Sequence, residues 1–480
     1  MLTGKFSLSG ADLYVLTALN LTIAVGALAA AEFLGVSASW AILGAGIILF
    51  QASVFFRFRP RFFQAAFLSL FAHTTASMSC AVIELGAYLS EVNDYGVPTG
   101  ATLRLCLLLL VFFLGSTIAF DAFPLSTPRV RNGKRGYPVS LKAIILLGQA
   151  SLVGYLLVVT YRYGSPLVLG MNRYEYWGTV APAGSQYVAS LVPQMSFLLG
   201  LTYAKSSHDQ KAFRSSVMLA YLGALVALIL QGDKFSLLLQ TTFFFFVPTI
   251  ILSENVSRRL LSVNGWKLAA LGMALTVGFF ALILFNLSSI YGGWEAGLEE
   301  LKGRVALQGQ VWWAADLRLI NWYPLELVDL LKALFGIGEN GLSGLSYLAA
   351  QILPPDTFHL YETKGVPLTM GFPGIALTAG GWVFGSVIVF ACGLSMGLSV
   401  RILCFGITSS NMLVAIASVK IFVATHLAFT AGQVELLFSM KFLLFLMLLY
   451  IGAKTERVLA RERRSSSRMA PVAAMPGRGR

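Results

Sequence analysis

Residues 373–400 read PGIALTAGGWVFGSVIVFACGLSMGLSV and contain no acidic or basic side chain. A helix needs about 20 consecutive apolar residues to cross the hydrocarbon core of a bilayer, where its backbone polar groups must be satisfied internally. This stretch is long enough to do so, and similar stretches recur along the chain. The sequence therefore predicts an all-α, polytopic integral membrane protein.

About twelve apolar runs have the length that a membrane span requires. The composition agrees, because 57% of the 480 residues are hydrophobic and 12% are charged, which excludes an ordinary soluble domain. An alternative for the first run is a cleaved signal ending near Ala29-Ala30-Ala31, but its length favours an uncleaved helix. The predicted spans are residues 11–31, 36–56, 64–90, 101–123, 142–162, 186–204, 216–231, 235–253, 267–287, 373–400, 411–431 and 434–453.

The net charge of +13 is distributed in a way that indicates a membrane surface rather than nucleic acid. Basic residues cluster in alternate short connections between the apolar runs, as is typical of a cytoplasmic face. We therefore expect both termini to be cytoplasmic and expect no nucleic-acid partner. The residues on the predicted cytoplasmic side are Arg57, Arg59, Arg61, Arg129, Arg131, Lys134, Arg135, Lys142, Lys205, Lys211, Arg214, Arg258, Arg259, Lys267 and, in the tail, Lys454, Arg457, Arg461, Arg463, Arg464 and Arg468.

The chain divides into four regions on this basis. Residues 1–285 hold the first nine predicted spans, 286–372 form a long non-cytoplasmic loop, 373–453 hold three more spans, and 454–480 form a basic cytoplasmic tail. The long loop carries Trp, Tyr, Arg, Glu and a His, whereas most other connections are short. Because function concentrates on loops held by a rigid scaffold, we predict the functional site in this loop.

Three segments of the long loop have apolar residues at helical spacing, which predicts amphipathic helices lying on the membrane. They are Trp294–Leu301, Arg304–Ile320 and Pro324–Leu334. If the middle segment is one helix, Arg304 and Arg318 share a face but lie roughly 21 Å apart along its axis, too far to bind one phosphate together. Anchoring to lipid headgroups is an equally open interpretation.

Two further segments contain charged residues beside predicted spans. In the corner Leu230-Gln231-Gly232-Asp233-Lys234, burial of Asp233 and Lys234 near hydrocarbon is costly unless they pair or bind a ligand. The alternative to ligand binding is that Asp233 and Lys234 pair with each other and cap the next helix. The segment His359-Leu360-Tyr361-Glu362-Thr363-Lys364 precedes the Gly-rich entry Gly371-Phe372-Pro373-Gly374. His359 can act as a base or a hydrogen-bond donor near neutral pH, although a lone loop His is more often incidental.

The sequence resembles the Wzy-type O-antigen polymerases, which share an architecture with the O-antigen ligases. The resemblance covers the plan of about twelve spans with one dominant late loop, and locally the corner 231–234, the segment 359–374 and Phe384-Gly385. The ligase pattern has Asn, Ser or Gln after the His, where this chain has Leu360, which favours a polymerase over a ligase. Arg173 and Gly184 match a polymerase spacing of Arg and Gly, at near-chance specificity.

The resemblance implies glycosyl transfer between two undecaprenyl-diphosphate-linked oligosaccharides at the outer face of a bacterial inner membrane, with a chain-length regulator protein as a further partner. Diphosphate is a good leaving group, so the enzyme needs cations to stabilise it and a base for the acceptor hydroxyl. The candidate cations are Arg173, Lys234, Arg304 and Arg318, with Asp233 and Lys364 as further substrate-binding residues. The candidate base is His359, ahead of Asp316, Glu339 and Glu362; the aromatic residues that could stack on sugars are Trp294, Trp312, Trp313, Trp322, Tyr323 and Tyr361.

The sequence predicts neither a metal site nor a cofactor. The long loop has one His, no Cys and no spacing typical of metal ligands. Cys80, Cys106 and Cys392 fall inside apolar runs and Cys404 just after one, so we expect them to pack rather than to form disulfides.

Ionisable residues within the spans leave a transporter or lipid-linked oligosaccharide flippase open as a rival. The residues are His73, Glu84, Lys420, His426, Glu435 and Lys441. Such side chains face a bundle interior or an aqueous cavity rather than lipid. Buried pairs that fasten helices, such as Glu84 with Lys420, are the structural alternative.

Overall fold

The structure is a computed structural model. It describes residues 10–123, 137–169, 173–206, 210–233, 236–252, 292–319, 342, 344–364 and 370–469, together with 281, 284 and 288.

The described part of the chain is almost entirely helical, which confirms the predicted all-α fold class. An antiparallel hairpin of two-residue strands, β1 (Tyr88–Leu89) and β2 (Asp94–Tyr95), lies between α3 and α4. A 3₁₀ helix spans Val434–Phe438. The α-helices are α1 (Gly10–Leu34), α2 (Ala38–Phe58), α3 (Pro60–Glu84), α4 (Ala101–Ala122), α5 (Val139–Tyr163), α6 (Pro166–Leu169), α7 (Arg173–Thr179), α8 (Ser185–Lys205), α9 (Lys211–Leu230), α10 (Ser236–Leu252), α11 (Trp294–Ala306), α12 (Gln310–Arg318), α13 (Gly344–Ile352), α14 (Pro355–Lys364), α15 (Gly374–Thr408), α16 (Met412–Thr430) and α17 (Met440–Met469).

Eight of these helices are by themselves long and apolar enough to cross a membrane, counting only the described residues. Each predicted span overlaps a helix, except 267–287, of which only residues 281 and 284 are described. Large apolar side chains such as Val15, Leu222 and Val383 point outward from the bundle. A surface of this kind is stable against lipid rather than water. The protein is therefore a multi-pass membrane protein.

The bundle is built on a close contact between α4 and α15. Glycines on both helices make it possible, because a Cβ atom on Gly393 or Gly397 would collide with the backbone carbonyls of Phe112 and Ser116. Gly115 on α4 has the same relation to Phe390 of α15. Small residues let membrane helices approach at backbone distance, which increases the van der Waals contact that holds them together. The apolar run that indicates the fold thus supplies its central helix.

The helices depart from the predicted spans in several places. α3 ends at Glu84 rather than at residue 90, because Gly86 turns the chain with a φ of 96° into the hairpin. α15 is interrupted at Gly381, where φ is 61° and ψ is −165°, values that favour glycine. The last span begins as a 3₁₀ helix and becomes α-helical only at Met440.

The middle one of the three loop segments predicted to lie on the membrane is instead partly buried against the bundle. Residues 310–315 of α12 are all buried, and α12 packs against α3 and α4. Between α11 and α12 the chain turns at Gly309, where a Cβ atom would meet the backbone of Cys80 2.6 Å away. The predicted single helix from Arg304 to Ile320 is therefore wrong. The third predicted segment, 324–334, lies outside the described residues.

The two ends of the bundle differ in chemistry. At one, the basic end, Arg59 pairs with Asp121 at 2.8 Å, Arg401 donates to the carbonyl of Phe123 at 3.1 Å, and Lys205 donates to that of Ser409. The hairpin, α6, α7 and α11–α14 lie at the opposite end of the bundle, here called the loop end. Contacts cross between these connections, since α14 packs on α7 and Arg318 reaches Asp94. Connections predicted to share a side of the membrane thus share an end of the bundle.

Candidate functional site

At the loop end, the buried carboxylate of Glu84 joins the end of α3 to the start of α4. Its oxygens accept hydrogen bonds from the backbone N–H groups of Thr99 at 2.7 Å, Gly100 at 2.5 Å, Ala101 at 3.1 Å and Thr102 at 3.0 Å. These are the orphan donors at the start of α4, where a negative charge is stabilised by the helix dipole. Glu84 is therefore the cap of α4, and the alternative that it fastens helices by pairing with Lys420 is wrong.

Asp316, a predicted base, is held by an arginine that the sequence analysis did not single out. Arg104, one turn into α4, donates two hydrogen bonds to the Asp316 carboxylate at 2.8 and 2.5 Å and a third to the carbonyl of Thr99 at 2.7 Å. Only 1% of the Asp316 side chain is exposed. Burial raises the pKa of its carboxyl, while the guanidinium of Arg104 acts against that rise. A charged residue near the end of an apolar run was the available signal for Arg104.

Trp312 and Trp313 lie on the same helix as Asp316, one turn earlier, and are buried. The indole N–H of Trp312 donates to the carbonyl of Ala101 at 2.9 Å, and that of Trp313 donates to the carbonyl of Val97 at 3.3 Å. Both residues are among the largest fully buried side chains of the described part. They fix α12 against the connection before α4, and neither ring faces an open surface on which a sugar could stack.

The two arginines predicted to share a helix face lie on different helices with different partners. Arg304 pairs with Glu300 one turn earlier on α11 at 2.9 Å. Arg318, at the end of α12, donates to the carbonyl of Ile352 at 2.8 Å and to the carboxylate of Asp94 at 3.2 Å. Both side chains remain about one-third exposed, at 39% for Arg304 and 34% for Arg318. Each therefore keeps access to a ligand.

Arg173 and Asp233, both predicted to bind substrate, form an ion pair with each other. Asp233 also accepts the backbone N–H of Leu237 at 3.2 Å and so caps α10, but its ion pair in the described residues is with Arg173. Arg173 packs with its guanidinium 5.8 Å from the ring of Trp177. Lys234 lies outside the described residues, as do Glu339, Trp322 and Tyr323.

α14 carries His359, Tyr361 and Glu362 at the outer surface of the loop end. His359 and Glu362 are exposed, and the side chain of Lys364 lies outside the description. The hydroxyl of Tyr361 turns inward and donates to Glu91 at 2.6 Å. The structure thus brings one member of this segment onto the hairpin and leaves His359 facing outward.

Glu91 forms a second centre that sequence reasoning missed. One of its oxygens accepts from Tyr361, and the other accepts from the side-chain amide of Gln310 on α12. Burial raises the pKa of the Glu91 carboxyl, while the Tyr361 hydroxyl acts against that rise. The only signal in the sequence was an acidic residue in the short connection 85–100. Its partners, Gln310 and Tyr361, lie more than two hundred residues away in sequence.

Two histidines lie deeper, among the spanning helices. Neither ring nitrogen of His73 has a hydrogen-bond partner within the part of the chain that is described, and the ring packs 5.1 Å from that of Phe112. Nδ1 of His426 lies 2.8 Å from the hydroxyl of Ser69. Among the residues searched, no three His, Cys, Asp or Glu side chains group in a way that could hold a metal ion.

Comparison with known proteins gives one partial match. A family of unknown function (DUF6418) matches residues 339–446, which include α13, α14, α15 and α16. No curated protein and no solved structure matches the chain. The matched region contains His359 and Tyr361 but neither Glu91 nor Asp316.

Proposed function

We propose that this protein is a membrane glycosyltransferase that polymerises undecaprenyl-diphosphate-linked oligosaccharide repeat units into O-antigen or a related surface polysaccharide. The proposal includes a bacterial inner-membrane location, with both termini cytoplasmic and the loop end periplasmic. One observation carries it beyond the resemblance in sequence. Arginines and carboxylates from several separate connections meet in a polar layer directly above a lipid-facing helical bundle.

This layer suits a substrate that is half lipid and half sugar. The polyprenyl chain of such a substrate stays in hydrocarbon, so its diphosphate is held at the end of the spanning helices. Arg318 and Arg173 lie there with part of each side chain exposed. Arginine is suited to phosphate because its planar fork donates two hydrogen bonds at once. Arg318, Arg173, Arg304 and Lys234 are therefore the proposed diphosphate-binding residues.

The reaction requires few groups from the protein. An acceptor hydroxyl attacks the anomeric carbon of the growing chain, the carbon–oxygen bond to the diphosphate breaks, and the diphosphate leaves with the electron pair. Cations stabilise the charge that develops on the leaving group, and a base takes the hydroxyl proton. Two of the candidate bases named from the sequence, His359 and Glu362, are exposed on α14. The proposed chemistry uses no metal or cofactor.

A transporter of lipid-linked oligosaccharide is the second candidate. It is favoured by the buried ring of His73, whose nitrogens have no hydrogen-bond partner among the described residues. An ionisable side chain at membrane depth often marks a proton or substrate path. Transport would leave the glycan unchanged in length. A ligase-type enzyme would instead transfer the glycan once to a different acceptor.

The test is to incubate the purified protein in liposomes with a synthetic undecaprenyl-diphosphate repeat unit and to size the products. A polymerase yields a ladder of longer lipid-linked glycans, and Arg318→Ala shortens or abolishes it. Lys302→Gln, which removes an exposed charge paired at 2.6 Å with Glu299, is the matched control and keeps the ladder. Movement of unextended substrate across the vesicle wall, with no ladder, would show that the protein is a transporter.

A further inference from the structure

Glu91 has a setting that differs from those of the other loop-end carboxylates. Glu84 is held by backbone donors, and Asp316 and Asp233 are each paired with an arginine. Glu91 has a tyrosine hydroxyl and a glutamine amide as its partners in the described structure. Neither partner carries a charge that fixes the carboxyl in its ionised form.

The Gln310 amide can accommodate either protonation state of Glu91. With Glu91 ionised, the amide nitrogen donates to it. The amide oxygen of Gln310 is buried and has no hydrogen-bond partner within the described residues. An amide turned by 180° presents that oxygen to Glu91, and a protonated carboxyl donates to it. The same neighbour therefore stabilises the carboxyl before and after it takes a proton.

The position of Glu91 connects it to the proposed diphosphate site. Asp94, three residues further along the same hairpin, holds Arg318 at 3.2 Å. Tyr361 extends from α14, the helix that also carries His359 and Glu362. The same short hairpin thus carries Glu91, which can exchange a proton, and binds Arg318, the proposed diphosphate-binding cation.

We propose that Glu91 is the catalytic base of the transfer, with Tyr361 and Gln310 as its positioning residues. This inference rests on the proposed polymerase function. The acceptor O–H bond breaks, its oxygen forms the new bond to the anomeric carbon, and the proton passes to the Glu91 carboxylate while the diphosphate leaves with its electron pair. Glu91 then returns the proton to water.

The direction of the pKa shift agrees with this role. Burial raises the pKa of Glu91 above that of a solvated glutamate, which brings it closer to neutral and makes the carboxylate a stronger base. Other ionisable groups lie on the elements around it. They are Tyr88, Asp94 and Tyr95 of the hairpin, Glu295, Glu299, Glu300, Lys302 and Arg304 of α11, Asp316 and Arg318 of α12, and His359, Tyr361 and Glu362 of α14.

The experiment compares pH–rate profiles of ladder formation for the wild type, Glu91→Gln, His359→Gln and the surface control Glu299→Gln. We expect Glu91→Gln to lower the rate by at least about 100-fold, as for loss of a general base, and to abolish the acidic limb of the profile. We expect the acidic limb to persist in His359→Gln and Glu299→Gln. An acidic limb lost in His359→Gln and kept in Glu91→Gln would overturn the assignment.

A second variant covers the case in which Glu91→Gln does not fold. Tyr361→Phe removes the hydroxyl that favours the ionised carboxyl, so the acidic limb is expected to move to higher pH. An unmoved limb would overturn the role of Glu91 while leaving the polymerase function intact. If the wild type makes no ladder at all, the proposed function fails and the role of Glu91 fails with it.

Discussion

α11 and α12 are neighbours in one loop, and both carry arginines and carboxylates, yet their charges act in different ways. Asp316 of α12 is 1% exposed and is bound by Arg104 from another helix, 212 residues away in sequence. Arg304 of α11 is 39% exposed and pairs with Glu300 of its own helix. The first pair joins two parts of the chain, whereas the second joins two turns of one helix. Sequence alone shows the residue types but not this difference.

The energetic consequence is large. Breaking a buried ion pair leaves the remaining charge without compensation, at about 3–5 kcal/mol, whereas an exposed pair contributes about 0.2–1 kcal/mol. Because the buried pair is worth so much more than the exposed one, the stability of any variant in this loop has to be measured before its activity is interpreted. Loss of activity in a variant of Asp316 would not by itself indicate a role in catalysis.

The largest effect is expected for Asp316→Ala. We expect the free energy of unfolding to fall by about 3 kcal/mol, because Arg104 keeps only its bond to Thr99 and 19% of its surface in solvent. Glu300→Ala is the control on α11, with an expected loss below about 0.5 kcal/mol. Denaturation of the purified protein in detergent micelles measures both. Similar losses in the two variants would remove the distinction between α11 and α12.

A smaller loss is expected for Glu84→Gln, which keeps the shape of the side chain and removes its charge. The amide oxygen can still accept from Thr99, Gly100 and Ala101, but an NH2 group replaces the oxygen that accepts from Thr102. We expect a loss of about 1–2 kcal/mol, as for other helix caps. Glu362→Gln, on the exposed surface of α14, is expected to unfold like the wild type. Equal stability of Glu84→Gln and the wild type would show that the cap contributes little.

The pH dependence of stability provides a test of Glu91. The folded state raises the pKa of this carboxyl, so folding favours its protonated form. The contribution is therefore present below the ordinary pKa of 4.5 and is lost as the pH rises through the raised value. We expect the stability of the wild type relative to Glu91→Gln to decrease as the pH rises above about 4.5 and to level off once the folded carboxyl is ionised. A difference that is constant or grows with pH would contradict the burial of Glu91.

The fold was largely predictable because the bilayer imposes a length and an apolar composition on every spanning helix. The alternation of basic connections likewise indicated which connections share an end of the bundle. The buried position of α12 was not predictable, because the amphipathic spacing of residues 310–318 is the same whether the apolar face meets lipid or α3 and α4. Arg104 and Glu91 were missed for a related reason. Their partners, Asp316 and Tyr361, lie more than two hundred residues away.

The smallest effect on stability, and the sharpest test of the comparison, is expected for Arg304→Ala and Arg318→Ala. Both arginines are about one-third exposed, and we expect each variant to lose less than about 1 kcal/mol. If the arginines bind the leaving diphosphate, ladder formation nevertheless falls, because charge stabilisation acts in the transition state rather than in the fold. Glycan sizing and denaturation on the same preparations separate the two effects. A variant that keeps both its stability and its ladder removes that arginine from the proposed site.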